Sequence, residues 1–147
     1  MPYQPSLDSL FRIGNMVPNA QPEISVNAAA IQVFLHWKQP SDKTLSQFRI
    51  GNGGITGTPT SALSWEIFAS DAQGAVGATT GVSGTATPAS YTSQNPTGLS
   101  LALTGGNHYG VLLKNVHATP ASNWFAILAP IASAGKVGWG TRVSQAT

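Results

Sequence analysis

The stretch Ile31-Gln-Val-Phe-Leu-His-Trp-Lys38 decides the fold class of this sequence. From Ile31 to Trp37, every second residue is apolar, and most of the residues between them are polar. A period of two places successive side chains on opposite faces of a β-strand. The stretch therefore predicts a strand with one face buried in a core.

The same alternation recurs along the chain, at 63–68, 99–104 and 109–113, and an apolar run follows at 124–131. Short strands separated by turn sequences are typical of an antiparallel sandwich, and no long helical pattern follows residue 20. The Gly-, Ala-, Ser- and Thr-rich stretch 74–97 predicts a long loop with one or two poorly patterned strands. The predicted turns are Gln39-Pro-Ser-Asp, Asn52-Gly-Gly, Ser70-Asp-Ala-Gln-Gly, Asn95-Pro-Thr-Gly, Gly105-Gly-Asn107 and Thr119-Pro-Ala-Ser-Asn. The predicted inward residues are Ile31, Val33, Leu35, Trp37, Leu63, Trp65, Ile67, Leu101, Tyr109, Val111 and Leu113.

Prolines separate an N-terminal segment from the strand pattern, which gives three parts: an arm at 1–22, a β-sandwich at 23–132 and a C-terminal edge strand or tail at 133–147. The spacing of Leu7, Leu10 and Phe11 fits a short helical turn with Ser6 as its N-cap. The arm is expected to be irregular or helical. It either covers the core as an edge segment or docks on a neighbouring subunit.

The chain has 147 residues, 41% of them hydrophobic and only 8% charged, and its net charge is +2. This length fits one domain, and the charged fraction is far below the roughly 25% of ordinary soluble domains. Its seven basic residues are scattered, so the pattern predicts no nucleic-acid partner. The absence of cysteine excludes disulfides and thiol nucleophiles. We also expect no signal peptide, no membrane span and folding in a cytoplasm.

No spacing of acidic residues or histidines indicates a catalytic or metal site. Glu66 occupies an outward strand position, where a solvated charge is expected, and no Gly-x-Ser-x-Gly elbow occurs. His36, His108 and His117 lack the short spacing of a metal motif. The sequence therefore predicts no enzyme, no catalytic residues, no metal and no cofactor.

Three aromatic residues lie outside the alternating pattern of predicted core residues. Phe34 and Phe68 fall on the polar faces of their strands, and Trp139 lies in a Gly-Trp-Gly context. Burial at the rim of the sandwich, burial against another subunit and a stacking platform for a sugar ring all remain open. In a charge-poor protein, outward apolar positions favour the subunit contact. The candidate assembly residues are Leu7, Leu10, Phe11, Phe34, Phe68 and Trp139.

Residues 24–131 resemble the jelly-roll β-sandwich domains of tailed-bacteriophage virion proteins, which occur in head decorations, head fibres and tail fibres. The resemblance is carried by the order of four segments. They are the strand ending in Trp37, Pro40-Ser-Asp-Lys-Thr-Leu-Ser-Gln-Phe48, Trp65-Glu-Ile-Phe-Ala-Ser-Asp-Ala-Gln-Gly74 and Leu103-Thr-Gly-Gly-Asn-His-Tyr-Gly-Val-Leu-Leu-Lys-Asn115. The same order is similar to carbohydrate-binding sandwich modules of secreted enzymes.

The resemblance implies a non-enzymatic structural protein of a virion that is assembled in the host cytoplasm. Its expected partners are further copies of itself, in a homo-oligomer such as a trimer, and other virion proteins. The alternative function is a carbohydrate-binding module of a secreted or host-recognition protein, with a glycan as its partner. An assembly state distinguishes the two, because a sugar-binding module is expected to be monomeric.

Overall fold

The structure is a computed structural model that describes residues 23–128 and the backbone of residues 140–145. All regular elements in these residues are β-strands, and those with large side chains alternate apolar and polar residues with a period of two. The strands are β1 Glu23–Val26, β2 Ile31–Lys38, β3 Lys43–Gln47, β4 Ile50–Thr56, β5 Leu63–Ser70, β6 Val76–Ala86, β7 Ser93–Gln94, β8 Thr97–Leu103, β9 His108–Asn115, β10 Trp124–Leu128 and β11 Gly140–Gln145.

The strands form two antiparallel sheets and a ribbon. The first sheet has the order β1-β10-β4-β7, the second has the order β11-β2-β9-β5-β6, and β3 pairs with β8. The ribbon continues the first sheet, because β3 leads into β4, β7 leads into β8, and the amide of Phe48 donates to the carbonyl of Pro96 between them (3.2 Å).

The pairings are nested along the chain. The first strand pairs with the tenth, the second with the ninth, β3 and β4 with β8 and β7, and β5 with β6. A long hairpin rolled up in this way is a jelly roll, in which consecutive strands cross between the two sheets. The predicted all-β antiparallel sandwich is therefore confirmed.

The core lies between the two sheets and contains side chains from both. Val33, Leu63 and Leu113 of the second sheet are fully buried against Ile50 and Phe125 of the first. Every residue predicted to point inward is either buried or packs against this cluster. Ile31, Trp37 and Leu101 are the partly buried members of that set.

One predicted turn is part of a strand. The glycines of Asn52-Gly-Gly lie inside β4, where Gly53 leaves room for the neighbouring side chains of Glu23 and Ala126. The stretch 74–97, expected to form a long loop with one or two poorly patterned strands, contains two strands, the eleven-residue β6 and the two-residue β7. Small side chains gave both segments little hydrophobic alternation, so the period of two could not be detected. The turn at Gly105-Gly-Asn107 is present, with Gly106 at φ 86°.

The N-terminal arm, including Leu7, Leu10 and Phe11, lies outside the described residues, as does Trp139. Near the C-terminus, β11 pairs with β2 at one edge of the second sheet. Among the described residues there is no helix long and apolar enough to cross a membrane.

Candidate functional site

The outer face of the second sheet carries the two phenylalanines that the sequence places on polar strand faces. Phe34 lies beside Leu112 across the β2–β9 pair, and Phe68 lies beside Gly110 across the β5–β9 pair. Their immediate neighbours in each strand point to the core. The register therefore places these residues on the outer face of the second sheet, where Glu66 lies beside Leu112 and His36 lies beside Gly110.

Phe34 is buried within the chain itself, which corresponds to the first of the three alternatives that the sequence left open. Its side chain is only 2% exposed, and Leu112 beside it is 6% exposed. The ring lies over Gly110, where any Cβ would collide with it, and stacks on His36 with centroids 6.2 Å apart. Gly74 of the β5–β6 turn contacts His36 in turn. A ring buried in this way contributes little area to a partner subunit, whereas Phe68 is half-buried and keeps part of its surface accessible.

The carboxylates of four described acidic residues accept hydrogen bonds from backbone amides or from a neighbouring hydroxyl group. Their acceptor oxygens face amide N–H groups in turns and strands, which is the usual work of acidic side chains at such positions. Glu66 accepts from the Thr79 hydroxyl (2.5 Å), Asp42 from Gly105 N–H (2.7 Å), Asp71 from Gln73 N–H (2.9 Å) and Ala75 N–H (2.8 Å), and Glu23 from Gly54 N–H (3.4 Å).

Histidines and acids do not gather into a metal centre between residues 23 and 128. No group of three or more potential ligands occurs there. His117 accepts the amide of Thr119 through Nδ1 (3.1 Å) and thereby shapes the β9–β10 loop. His108 lies across from Ser70 in the β5–β9 pair.

A first cleft, of about 330 Å³, lies at the loop end of the second sheet beside His108 and Tyr109. Tyr109 is 8% exposed, and its hydroxyl oxygen accepts the amide of Thr104 (3.0 Å). This hydrogen bond stabilises the phenolate and lowers the pKa of Tyr109 below its ordinary value. The phenol oxygen therefore stabilises the β8–β9 turn, and this polar group of the cleft is already used in a hydrogen bond within the fold.

Tyr91 is a further exposed aromatic residue, with 70% of its surface accessible. Its backbone is left-handed at φ 51°, and its amide donates to the carbonyl of Gly53 (2.9 Å). The nearby negative charge of Glu23, together with a hydrogen bond from the phenol to that carboxylate, raises the pKa of Tyr91. The Glu23 and Tyr91 side chains therefore meet beside the glycines of β4.

The outer edge of β6 is the longest open strand edge in the described part of the chain. No described strand pairs with that edge, and most of its residues are exposed. Residues 72–113, which include β6, β7, β8 and most of β9, contain no Asp, Glu, Lys or Arg. At its beginning, Val76 is 45% exposed. Exposed strand edges usually carry charged residues that prevent pairing with other chains, and this one carries none.

A second cleft, of about 230 Å³, lies where the end of β6 meets the β7–β8 edge. We call it the amide cleft, because Gln94 and Asn95 line it together with Trp65, Thr85, Ala86, Pro96 and Thr97. Residues of this cleft contribute no charge. Its walls combine one indole, two side-chain amides and two hydroxyl groups.

No protein-family model, no curated protein and no solved structure matches this chain. Jelly-roll proteins have many different functions, so the fold alone does not indicate the function of this chain. The function has to be inferred from the residues of the open strand edge and of the clefts.

Sequence reasoning missed Val76, Gln94 and Asn95, which lie in the stretch that was expected to be mostly loop. One signal was readable there. A run from 72 to 113 without a charged residue is unusual for a stretch that was expected on the surface.

Proposed function

We propose that the protein is a non-enzymatic structural subunit of a tailed-bacteriophage virion, either a head decoration or the attachment domain of a fibre. The proposal is supported by the jelly-roll strand order, which viral capsid proteins use, and by the resemblance of residues 24–131 to such domains. In this proposal the protein folds in the host cytoplasm and functions in the assembled particle.

The open edge of β6 is the observation that carries this proposal. No described strand pairs with this edge, and no charged residue of β6 opposes pairing with another chain. In its middle, the amides of Gly81 and Val82 donate to the hydroxyl groups of Thr79 and Thr80, so the edge available for pairing lies on either side of these residues. Val76 adds an exposed apolar side chain at the start of the edge. A solitary monomer in solution is expected to protect such an edge, whereas a subunit of an ordered assembly can bury it.

The occupant that we propose for the edge is a second copy of this chain. A homo-oligomer presents the same uncharged edge at high local concentration, and a ring of three subunits forms when the edge of each contacts a different surface of the next. A stable contact of this kind buries on the order of 800 Å² on each subunit.

The first prediction places a charge on the edge. Val76→Lys is expected to shift the protein to monomers, because the new ammonium group would have to lose its water on association. Light scattering across a range of protein concentrations measures this shift. Val116→Lys is the matched control, because Val116 is also an exposed valine (53%) but lies in the β9–β10 loop.

A wild-type protein that remains monomeric at high concentration would contradict the proposal and favour the alternative, a monomeric carbohydrate-binding module. Equal association of the two lysine variants would mean that the copies contact each other elsewhere, with the half-buried Phe68 as the next candidate.

A further inference from the structure

We propose that the open edge of β6 pairs antiparallel with the same edge of a second copy, across a two-fold axis at residues 80–82. This inference rests on the proposed function, which places a second copy at this edge, and it adds which surface of that copy makes the contact. The second sheets of the two copies then join into one continuous sheet.

The backbone of β6 shows which residues are available at the open edge. The carbonyl of Ile67 in β5 points to β6, because it accepts the hydroxyl group of Thr80 (2.7 Å). Successive residues of an antiparallel strand direct their N–H and C=O groups to opposite sides. The two neighbours of Ile67 therefore direct theirs to β9, and the β6 residues opposite them, Ser83 and Thr79, direct theirs to the open edge.

The same alternation adds two residues to the open edge, Val76 opposite Ser70 and Thr85 opposite Ser64. All members of this set are exposed, and we call them the edge residues: Val76, Thr79, Ser83 and Thr85. Measured against the regular strand β5, they occupy four evenly spaced positions. Two of them precede the bulge at residues 80–82 and two follow it, so the edge is symmetric about the bulge.

A two-fold axis at the bulge uses all of the edge residues at once. It places Thr79 opposite Ser83 of the second copy, and Val76 opposite Thr85 of that copy. The bulges of the two copies then face each other, and a Cβ on Gly81 would meet no atom of its own chain within 4 Å, so there is space between them. A register shifted by two positions would place the bulge opposite a paired segment and leave Val76 without a partner.

The side chains of the edge residues are compatible with this register. Pairs of Thr with Ser and of Val with Thr are favourable across antiparallel strands, and no residue of β6 is charged. The nearest carboxylate, Glu66, lies one strand inside the edge, where it accepts the Thr79 hydroxyl. Three strand spacings separate the Glu66 residues of the two copies, roughly 14 Å, which exceeds the Debye length of about 8 Å at physiological salt.

The test uses a short cross-linker that joins two thiol groups, because the chain has no cysteine of its own. Val76→Cys and Thr85→Cys are made separately in the full-length protein and then mixed. We expect cross-linked dimers in the mixture, since Cβ atoms directly opposite each other lie about 5 Å apart. Each variant alone is expected to give only background, because the two copies of one residue lie roughly 20 Å apart along the paired strands.

The matched control is a mixture of Val116→Cys and Thr85→Cys, which is expected to give background because Val116 is an exposed valine outside β6. Sedimentation of the same mixtures measures whether the copies associate. Association without the cross-link between positions 76 and 85, or equal cross-linking in the control mixture or in a single variant, would overturn this inference and leave the proposed function standing. A protein that sediments only as a monomer would contradict the proposed function, and this inference with it.

Discussion

At the scale of single residues, two buried asparagines have opposite surroundings. Asn115 is 2% exposed and uses its amide fully: Nδ2 donates to the carbonyls of Val26 (2.9 Å) and Asn123 (3.0 Å), and Oδ1 accepts from His117 N–H (2.9 Å). It thereby joins β1, β9 and the loop before β10 at one end of the sandwich. Asn52 in β4 is 0% exposed, and neither atom of its amide has a hydrogen-bond partner among the described residues.

The second prediction compares these two residues by the same substitution. Asn115→Ala is expected to lower the free energy of unfolding by about 2 to 4 kcal/mol, because three hydrogen bonds are lost, one of them to the carbonyl of the buried Val26. Asn52→Ala is expected to change it by less than about 1 kcal/mol, because relief of an unpaired amide offsets the lost packing. Urea unfolding of both variants measures the difference. Equal losses would show that the Asn52 amide is paired in solution.

At the scale of elements, β9 holds the second sheet together from its centre, with β2 on one side and β5 on the other. Gly110 of β9 is the point where the Phe34 ring from β2 crosses the outer face. A glycine in a strand costs conformational entropy, so its presence here needs a reason, and close approach of the ring supplies it.

Gly110→Ala should therefore destabilise the domain by about 1 to 3 kcal/mol, since the added methyl group forces Phe34 out of its buried position. The control is Gly54→Ala in β4, where the nearest neighbour of the new Cβ would be the Tyr91 hydroxyl oxygen at 3.7 Å. That change is expected to be neutral or to stabilise by about 0.4 to 1 kcal/mol through the unfolded chain. Thermal unfolding measures the stability of the two variants, and an equal loss in both would contradict the role assigned to Gly110.

The sequence predicted strands clearly where large apolar residues alternate with polar ones, and did not give the strand bounds where glycine and other small residues form the strands. The alternating core side chains of β2, β5 and β9 are visible in the sequence. The glycines of β4 and β6 are explained only by side chains of neighbouring strands that pack on them. A Cβ on Gly84 would collide with Trp65, and one on Gly53 would collide with Glu23. Such long-range contacts cannot be predicted from the spacing of residues in the sequence. The amide cleft was missed for the same reason, because Trp65 and Asn95 come together only through the roll of the sheets.

At the scale of the whole molecule, the charged residues are unevenly distributed along the chain. The described charged side chains lie in residues 23–71 and at Lys114, while the intervening chain, with the open edge of β6, has none. The residues of β6 therefore carry no charge themselves, and the Glu66 carboxylate of β5 contacts the strand through the Thr79 hydroxyl. Attraction between neutral edges arises from backbone pairing and apolar burial, and neither depends on ionic screening.

The last prediction follows from this division and concerns the salt dependence of self-association. Between about 0.01 and 1 M sodium chloride the Debye length falls from about 30 to about 3 Å, so a contact between charged faces would change strongly. We expect the association constant of the wild-type protein, measured by sedimentation, to stay within about twofold over this range, because the β6 edge carries no charge to screen. Ammonium sulfate is expected to strengthen association, since sulfate favours apolar burial. A steep loss of association with sodium chloride would instead place the contact on charged residues such as Lys38 or Arg49, and the β6 edge would then not be the assembly surface.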